Sequence, residues 1–253
     1  MRSIGAFVIG DEILTGKRAD KHLPQVIATL GARGLALDYA HYVGDDRARL
    51  TALLRDTFAR GDIVFSFGGI GATPDDHTRQ AAAGALGVPL VPHPEAIAGI
   101  VARFGAQAYP HRVLMAEFPD GATLIPNPVN NVAAFSIRDH HFMPGFPQMA
   151  WPMMDWVLAT HYPQLRREPP LERMVVVWDA GESQLLPLMS ENVARFPGAK
   201  LFSLPSFVGD GGRRRLELGV RGAAADVVPA FAHLLAGVEA SGFPFEVPPG
   251  KAP

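Results

Sequence analysis

Ile63-Val-Phe-Ser-Phe67 runs without interruption into Gly68-Gly-Ile-Gly-Ala-Thr-Pro-Asp-Asp-His-Thr78, so an apolar segment, a glycine-rich corner and two adjacent carboxylates follow one another directly. The length and the aromatic and β-branched content of the first part predict a buried strand. The corner that follows suits close approach: Gly68, Gly69 and Gly71 can take positive φ and bring main-chain N–H groups near an anion with no Cβ in the way. An alanine-rich helix, predicted to start within Thr73–Asp76, reach Leu86 and stop at Gly87, would add unpaired N–H donors and the positive end of its dipole. Gly68, Gly69, Ile70, Gly71, Thr73 and Thr78 are therefore candidate phosphate contacts. Glycines at a strand-to-helix corner also serve turn geometry alone, so both readings stand at this point.

The same order recurs upstream. Ile4–Ile9 leads into Gly10-Asp11-Glu12, and Leu35–Val43 into Gly44-Asp45-Asp46. A helix predicted over Lys21–Arg33 separates these two strands, with Leu23, Val26, Ile27 and Leu30 as its apolar stripe. A second follows Asp45 or Asp46 as its cap and presents Leu50, Leu53, Leu54 and Phe58 on one face. Strand, turn and helix, three times over, predict a parallel sheet covered by helices, with the three polar clusters along its carboxyl edge, where open α/β sheets hold ligands. Five or six carboxylates beside a phosphate cradle would repel an anion. A divalent cation held by one or two of them and by phosphate oxygens resolves that conflict. Taken singly, Asp45, Asp46, Asp75 and Asp76 each have a plainer reading as a helix cap, and His77 is as well placed to face solvent as to contact phosphate.

Further along, helices are predicted over 93–104 and 149–159, with short β segments across 122–142. The first domain is set at 1–165 and a small second one at 171–247, with a polar, proline-containing connector between them. The second contains a strand over 173–178, a helix over 182–196, strands over 199–204 and 214–220 joined by the Gly209-Asp210-Gly211-Gly212 turn, and a helix over 223–235. Residues 248–253 read as a frayed tail. The expected class is α/β, a three-layer αβα domain on a mostly parallel sheet followed by a small α+β domain. Twenty-six glycines and 23 prolines fit many short elements and tight turns. The net charge of −2 gives no basic footprint for nucleic acid, and the lack of cysteine removes disulfides, thiolate metal sites and a cysteine nucleophile. No run reaches the ~18 apolar residues of a membrane helix, and the apolar opening meets Asp11 too early for a secretory signal, so a soluble cytoplasmic protein without membrane partners is expected.

GDEILTGK at 10–17, VGDD at 43–46, GGIGATPDDHTRQAAAGALG at 68–87, HPEA at 93–96 and MPGFP at 143–147 occur in this order. Together they resemble the molybdopterin-binding (MoaB/Mog-like) domain family, most closely the amino-terminal region of the competence/damage-inducible CinA proteins, over essentially the whole chain. The resemblance implies that the glycine loop receives a nucleotide pyrophosphate or the phosphate of molybdopterin. By motif position it implies that Asp45 and Asp76 are catalytic and hold a divalent cation (Mg²⁺, Mn²⁺ or Co²⁺). It also implies that Gly10, Asp11, Glu12, Asp75 and His77 border the ligand and that copies associate as dimers or trimers. The reaction implied is metal-dependent hydrolysis of a phosphoanhydride such as that of ADP-ribose, ahead of adenylyl transfer. The alternatives are a non-catalytic phosphate or pterin-binding module and an oligomeric scaffold with a vestigial cleft. Ala72 stands where the family usually has proline, and Asn127-Pro-Val-Asn-Asn-Val-Ala-Ala134 replaces a glycine-rich stretch, so Asn130 and Asn131 add side chains near the ligand. The carboxy-terminal amide-hydrolysing domain of full-length CinA is not matched, and deamidation of nicotinamide mononucleotide is not carried over.

Three other features have plainer readings. Adjacent His140 and His141 on a strand point to opposite faces, which disfavours a shared metal. Arg213-Arg214-Arg215 reads as a solvated edge that discourages sheet-to-sheet pairing rather than as a grip on nucleic acid. Trp151 and Trp156, with Met153 and Met154, read as packing at a domain or subunit contact.

Overall fold

Alternate residues of β1 (Ile4–Ile9) enter two different cores: Ile4 and Ala6 join one, Phe7 and Ile9 the other. This period-two division is what a strand buried on both faces must show. The computed structural model describes residues 2–209 and 212–248, so Asp210 and Gly211 of the predicted turn, and 249–253 of the predicted tail, lie outside the described residues. Contacts divide the chain between Arg167 and Glu168 into two units.

After β1 the first unit continues with a short α1 (Asp11–Leu14), α2 (His22–Gly31), β2 (Tyr39–Val43), α3 (Arg47–Arg60), β3 (Ile63–Phe67) and α4 (Thr78–Leu86). Next come β4 (Leu90–Pro92), α5 (Pro94–Phe104), two 3-10 turns (Gly105–Ala108 and Arg112–Ala116) and β5 (Glu117–Pro119). The unit closes with β6 (Thr123–Ile125), β7 (Ala134–Ile137), β8 (His140–Met143) and α6 (Pro147–His161). The main sheet has the order β2-β1-β3-β8-β7-β6. Its first four strands are parallel, β7 runs antiparallel to them, and β6, antiparallel to β7, returns to their direction. On one face Val26 and Leu30 of α2 and Met153 and Val157 of α6 pack with Phe65 and Phe67. On the other, Leu50 and Leu54 of α3, Ala81 and Ala82 of α4 and Ile100 of α5 pack with Phe7, Val64 and Phe142. Each of these fully buried phenylalanines contributes about 2–3 kcal/mol. Because β1 has β2 on one side and β3 on the other, the chain reverses its direction of winding there. The loops leaving β1 and β3 diverge and open a crevice at the carboxyl edge.

The structure corrects several boundaries. Residues 35–38 precede β2 as irregular chain, because Asp38 closes on Ile4 instead: its N–H donates to the Ile4 carbonyl at 2.8 Å, and its carboxylate accepts the Ile4 N–H at 2.7 Å. In α2 the fourth stripe position is taken by His22, which is buried, while Ile27 is 54% exposed. α4 begins at Thr78, so Asp75 and Asp76 belong to the loop and do not cap the helix. Trp151 and Trp156, partly buried, pack against the core of their own unit.

The second unit is β9 (Leu171–Trp178), α7 (Glu182–Arg195), β10 (Ala199–Val208), β11 (Arg213–Gly222), α8 (Ala224–Ser241) and the two-residue β12 (Phe245–Glu246). Its antiparallel sheet has the order β10-β11-β9-β12, and α7 and α8 pack Leu185, Val227 and Leu234 onto Val175, Val177 and Leu218. β11 is an inner strand, so the arginine run is not an edge. Arg213 pairs with Asp179 at 3.0 Å and lies over the Trp178 ring, and Arg215 pairs with Glu217. Among the described residues no helix is long and apolar enough to cross a membrane.

Candidate functional site

Gly68 follows β3 directly, and its N–H donates to the Met143 carbonyl of β8 at 3.0 Å. With φ of +105° it lies against β1 so closely that a Cβ would stand 2.3 Å from the Ile9 carbonyl oxygen. Gly69 follows at φ +67°, where a Cβ would meet the Thr78 hydroxyl at 2.2 Å. Both positions demand glycine on conformation and on space. Thr78 then clamps the corner: its hydroxyl donates to the Gly68 carbonyl at 3.1 Å and its N–H to the Gly69 carbonyl at 2.9 Å. Gly71 does not take positive φ. Its role is room, since a Cβ would fall 2.4 Å from the Asp76 carboxylate. Among the described residues the amides of Gly69, Ile70, Gly71 and Ala72 donate to no protein acceptor.

These residues form one wall of a cleft of about 480 Å³ at the β1/β3 crevice, within the range that holds a small ligand. Gly10, Glu12, Asp45, Thr73, Asp75 and Asp76 also line it, so carboxylates from all three strand exits meet there. Arg18 adds a cation, and Phe104, Met115, Val132, Phe146 and Met149 add apolar lining. Asp76 is fixed by Thr73, accepting its N–H at 2.8 Å and its hydroxyl proton. Asp45 and Asp11 tie two strand exits together: the Asp11 N–H donates to the Asp45 carboxylate at 3.0 Å, and the Asp45 N–H to the Asp11 carboxylate at 3.2 Å. Partial burial raises the Asp45 carboxyl above the usual carboxylate range. The Asp11 N–H opposes that rise, and the negative charges of Asp11, Glu12 and Asp75 add to it. Asp75, fully exposed, is held below that range by local hydrogen bonding.

Some sequence candidates lie outside the cleft wall. The Asp11 carboxylate is spent on the Asp45 N–H, His77 occupies the cap position of α4, and Thr78 is buried in the clamp. Asp46, not Asp45, caps α3, accepting from Ala48 and Arg49. Asn130 lines the cleft, and its Oδ1 is taken by the Val132 N–H at 2.9 Å. Asn131 takes φ +58°, a left-handed conformation for which asparagine is among the favoured substitutes for glycine, so the backbone course there needs no glycine. His140 and His141 turn apart, the first to Thr57 and the second to Ser136 and Tyr162, each at 2.8 Å. Among the described residues no three His, Asp or Glu side chains come together as a metal-binding group. The apolar lining drew no candidate because Phe104, Met115 and Met149 read as core in sequence. Arg79, behind the loop, was also missed, although a single charge entering the run Ala81-Ala82-Ala83 signals a buried cation.

A mostly parallel αβα sheet with a glycine-walled, carboxylate-bordered cleft at its switch point defines an α/β domain of the open, doubly wound kind. Residues 5–167 match the family model described as "Probable molybdopterin binding domain". The chain is 31% identical over 241 residues to a CinA-like protein of Anaeromyxobacter sp. (strain Fw109-5), covering 87% of this chain and 58% of that protein. A protein of Pyrobaculum aerophilum is 30% identical over 195 residues, 72% of each chain. Among solved structures, a Thermoplasma acidophilum CinA of unknown function superposes with a TM-score of 0.57 at 25% identity, covering 62% of this chain and 98% of that one. The chain belongs to the molybdopterin-binding domain family and is CinA-like. It spans between 32% and 58% of the CinA-like relatives' own length.

Proposed function

We propose that this protein binds a phosphorylated nucleotide or pterin with its phosphates on the Gly69–Ala72 amides, and that it hydrolyses a phosphoanhydride such as that of ADP-ribose. One observation carries the reading. Four main-chain donors without protein acceptors share a cleft with Asp45 and Asp76 at the sheet's switch point, and apolar side chains that suit a flat ring line the same cleft. The reaction adds water across the anhydride and yields AMP and ribose 5-phosphate. The loop amides hold the phosphate, Asp45 borders it from the β2 exit, and Asp76 is held in the same cleft by Thr73. The carboxylates fit a divalent cation of the Mg²⁺ kind, which needs only one or two of them when phosphate oxygens and water complete its shell. Asp45 and Asp76 would hold it, and it would supply charge neutralisation and a more acidic water. Small phosphorylated molecules are the partners this site suits, and self-association as a dimer or trimer belongs to the same proposal.

A second reading, binding without turnover, is favoured by Asn130, which lines the cleft where the family's stretch is glycine-rich. One experiment separates the two. ADP-ribose is incubated with the protein and Mg²⁺, Mn²⁺ or Co²⁺, products are resolved by chromatography, and thermal stability is read in parallel. AMP and ribose 5-phosphate in equal amounts support hydrolysis; a raised melting temperature without product supports the binding module. Neither product nor shift, with pterin and nucleotide ligands also silent, refutes both.

A further inference from the structure

Arg79 enters the first turn of α4 and is only 3% exposed. Its Nη2 donates to the Gly71 carbonyl at 2.6 Å, and its Nη1 donates to the Leu114 carbonyl and, at 3.2 Å, to that of Glu117. Nε is buried without a partner. Among the described residues no carboxylate stands within ion-pair distance; Asp76 and Glu117 act on it only through space. Three carbonyls take N–H bonds from Nη1 and Nη2, fewer than the five donors of the guanidinium, and none of them cancels its charge. A buried cation in this condition is costly, which is why buried arginines are ordinarily paired.

The bond to Gly71 has a geometric consequence. Across a planar trans peptide the carbonyl and the following N–H point in opposite directions. By drawing the Gly71 carbonyl to itself, Arg79 turns the Ala72 N–H away from itself, and Ala72 lines the cleft with that N–H unbonded. The bonds to Leu114 and Glu117 hold the segment carrying Met115, part of the cleft's apolar lining, against the same guanidinium.

We propose that Arg79 is the positioning residue and built-in counter-charge of the phosphate site: it presents the Ala72 amide and keeps a positive charge behind the loop for a polyanionic ligand to neutralise. Binding of a pyrophosphate group then does not wait on a metal. This rests on the reading of the loop as a phosphate cradle.

The test titrates inorganic pyrophosphate calorimetrically into the full chain in EDTA at several salt concentrations, using wild type, Arg79→Gln and Arg79→Lys, with circular dichroism as the check on folding. Arg79→Gln is expected to weaken binding tenfold or more and to flatten the dependence of log Kd on log salt, which a merely structural residue would leave unchanged. Arg79→Lys keeps the charge and loses the fork, so it is expected to keep the slope and lose severalfold in affinity. If wild type binds while a folded Arg79→Gln matches it in affinity and slope, the role of Arg79 is overturned and the cradle stands. If Arg79→Gln does not fold, Arg79→Lys decides: wild-type affinity overturns the proposal. Wild type that binds no pyrophosphate in EDTA but binds it once Mg²⁺ is in excess overturns this inference and leaves the cradle; no binding in either condition overturns both.

Discussion

At the scale of single residues, Asp76 is the plainest test of chemistry against architecture. Its Oδ2 accepts the Thr73 N–H, a bond that an asparagine oxygen can still make. Asp76→Asn should therefore cost less than about 1 kcal/mol in urea unfolding, while turnover of ADP-ribose falls by a factor on the order of 10² or more. Wild-type turnover would remove Asp76 from the mechanism. Gly68 gives the opposite signature. At φ +105°, with a Cβ 2.3 Å from the Ile9 carbonyl, Gly68→Ala must move β3 away from β1. A loss of about 1–3 kcal/mol from backbone strain should accompany loss of ligand binding, measurable by thermal unfolding and calorimetry. The residue types at this cleft were legible in sequence because glycines and acidic residues recur together at three strand exits, although each alone also fits a turn or a cap. Their individual directions were not: nothing in Asp11-Glu12 or His77-Thr78 says which side chain lines the cleft and which closes a turn, since that depends on partners 34 and 10 residues away.

At the scale of elements, α3 starts where Asp46 accepts two N–H groups, so Asp46→Ala should lower stability by about 1 kcal/mol with no change in ligand affinity. β8 carries a pH dependence. Burial pulls His140 and His141 down from 6.5 to about 3, so both are neutral when folded. The unfolded chain binds these two protons as pH falls through 6.5, while the folded chain binds them only near 3. The stability they support is present above 6.5 and is lost between those values, by roughly 1.4 kcal/mol per pH unit for each histidine. Urea titrations at pH 7.5 and 5 should show this slope, and His140→Asn should reduce it by one proton's worth; an unchanged slope would contradict the assignment. Element types followed from periodicity, but boundaries did not. The Asp38–Ile4 closure shortens β2, and the loop tied by Thr73 and Asp76 delays α4 to Thr78, both through bonds that periodicity does not report.

At the scale of the whole molecule, the site exists because of strand order. Placing β2 and β3 on opposite sides of β1 parts their loops, and every residue of the cleft wall then comes from the unit ending at Arg167. A chain truncated after Arg167 should accordingly bind ADP-ribose with the affinity of the whole protein; loss of binding in a folded fragment would place essential contacts in the second unit. Parallel order was legible from three apolar runs each ending in a polar turn, whereas the inner position of β11 was not, because an arginine run reads as an edge until its partners are known. The most direct measurement is a crystal structure of the protein with ADP-ribose. It should place phosphate oxygens within hydrogen-bonding distance of the Gly69–Ala72 amides; ligand bound elsewhere, with those amides facing only water, would contradict the account.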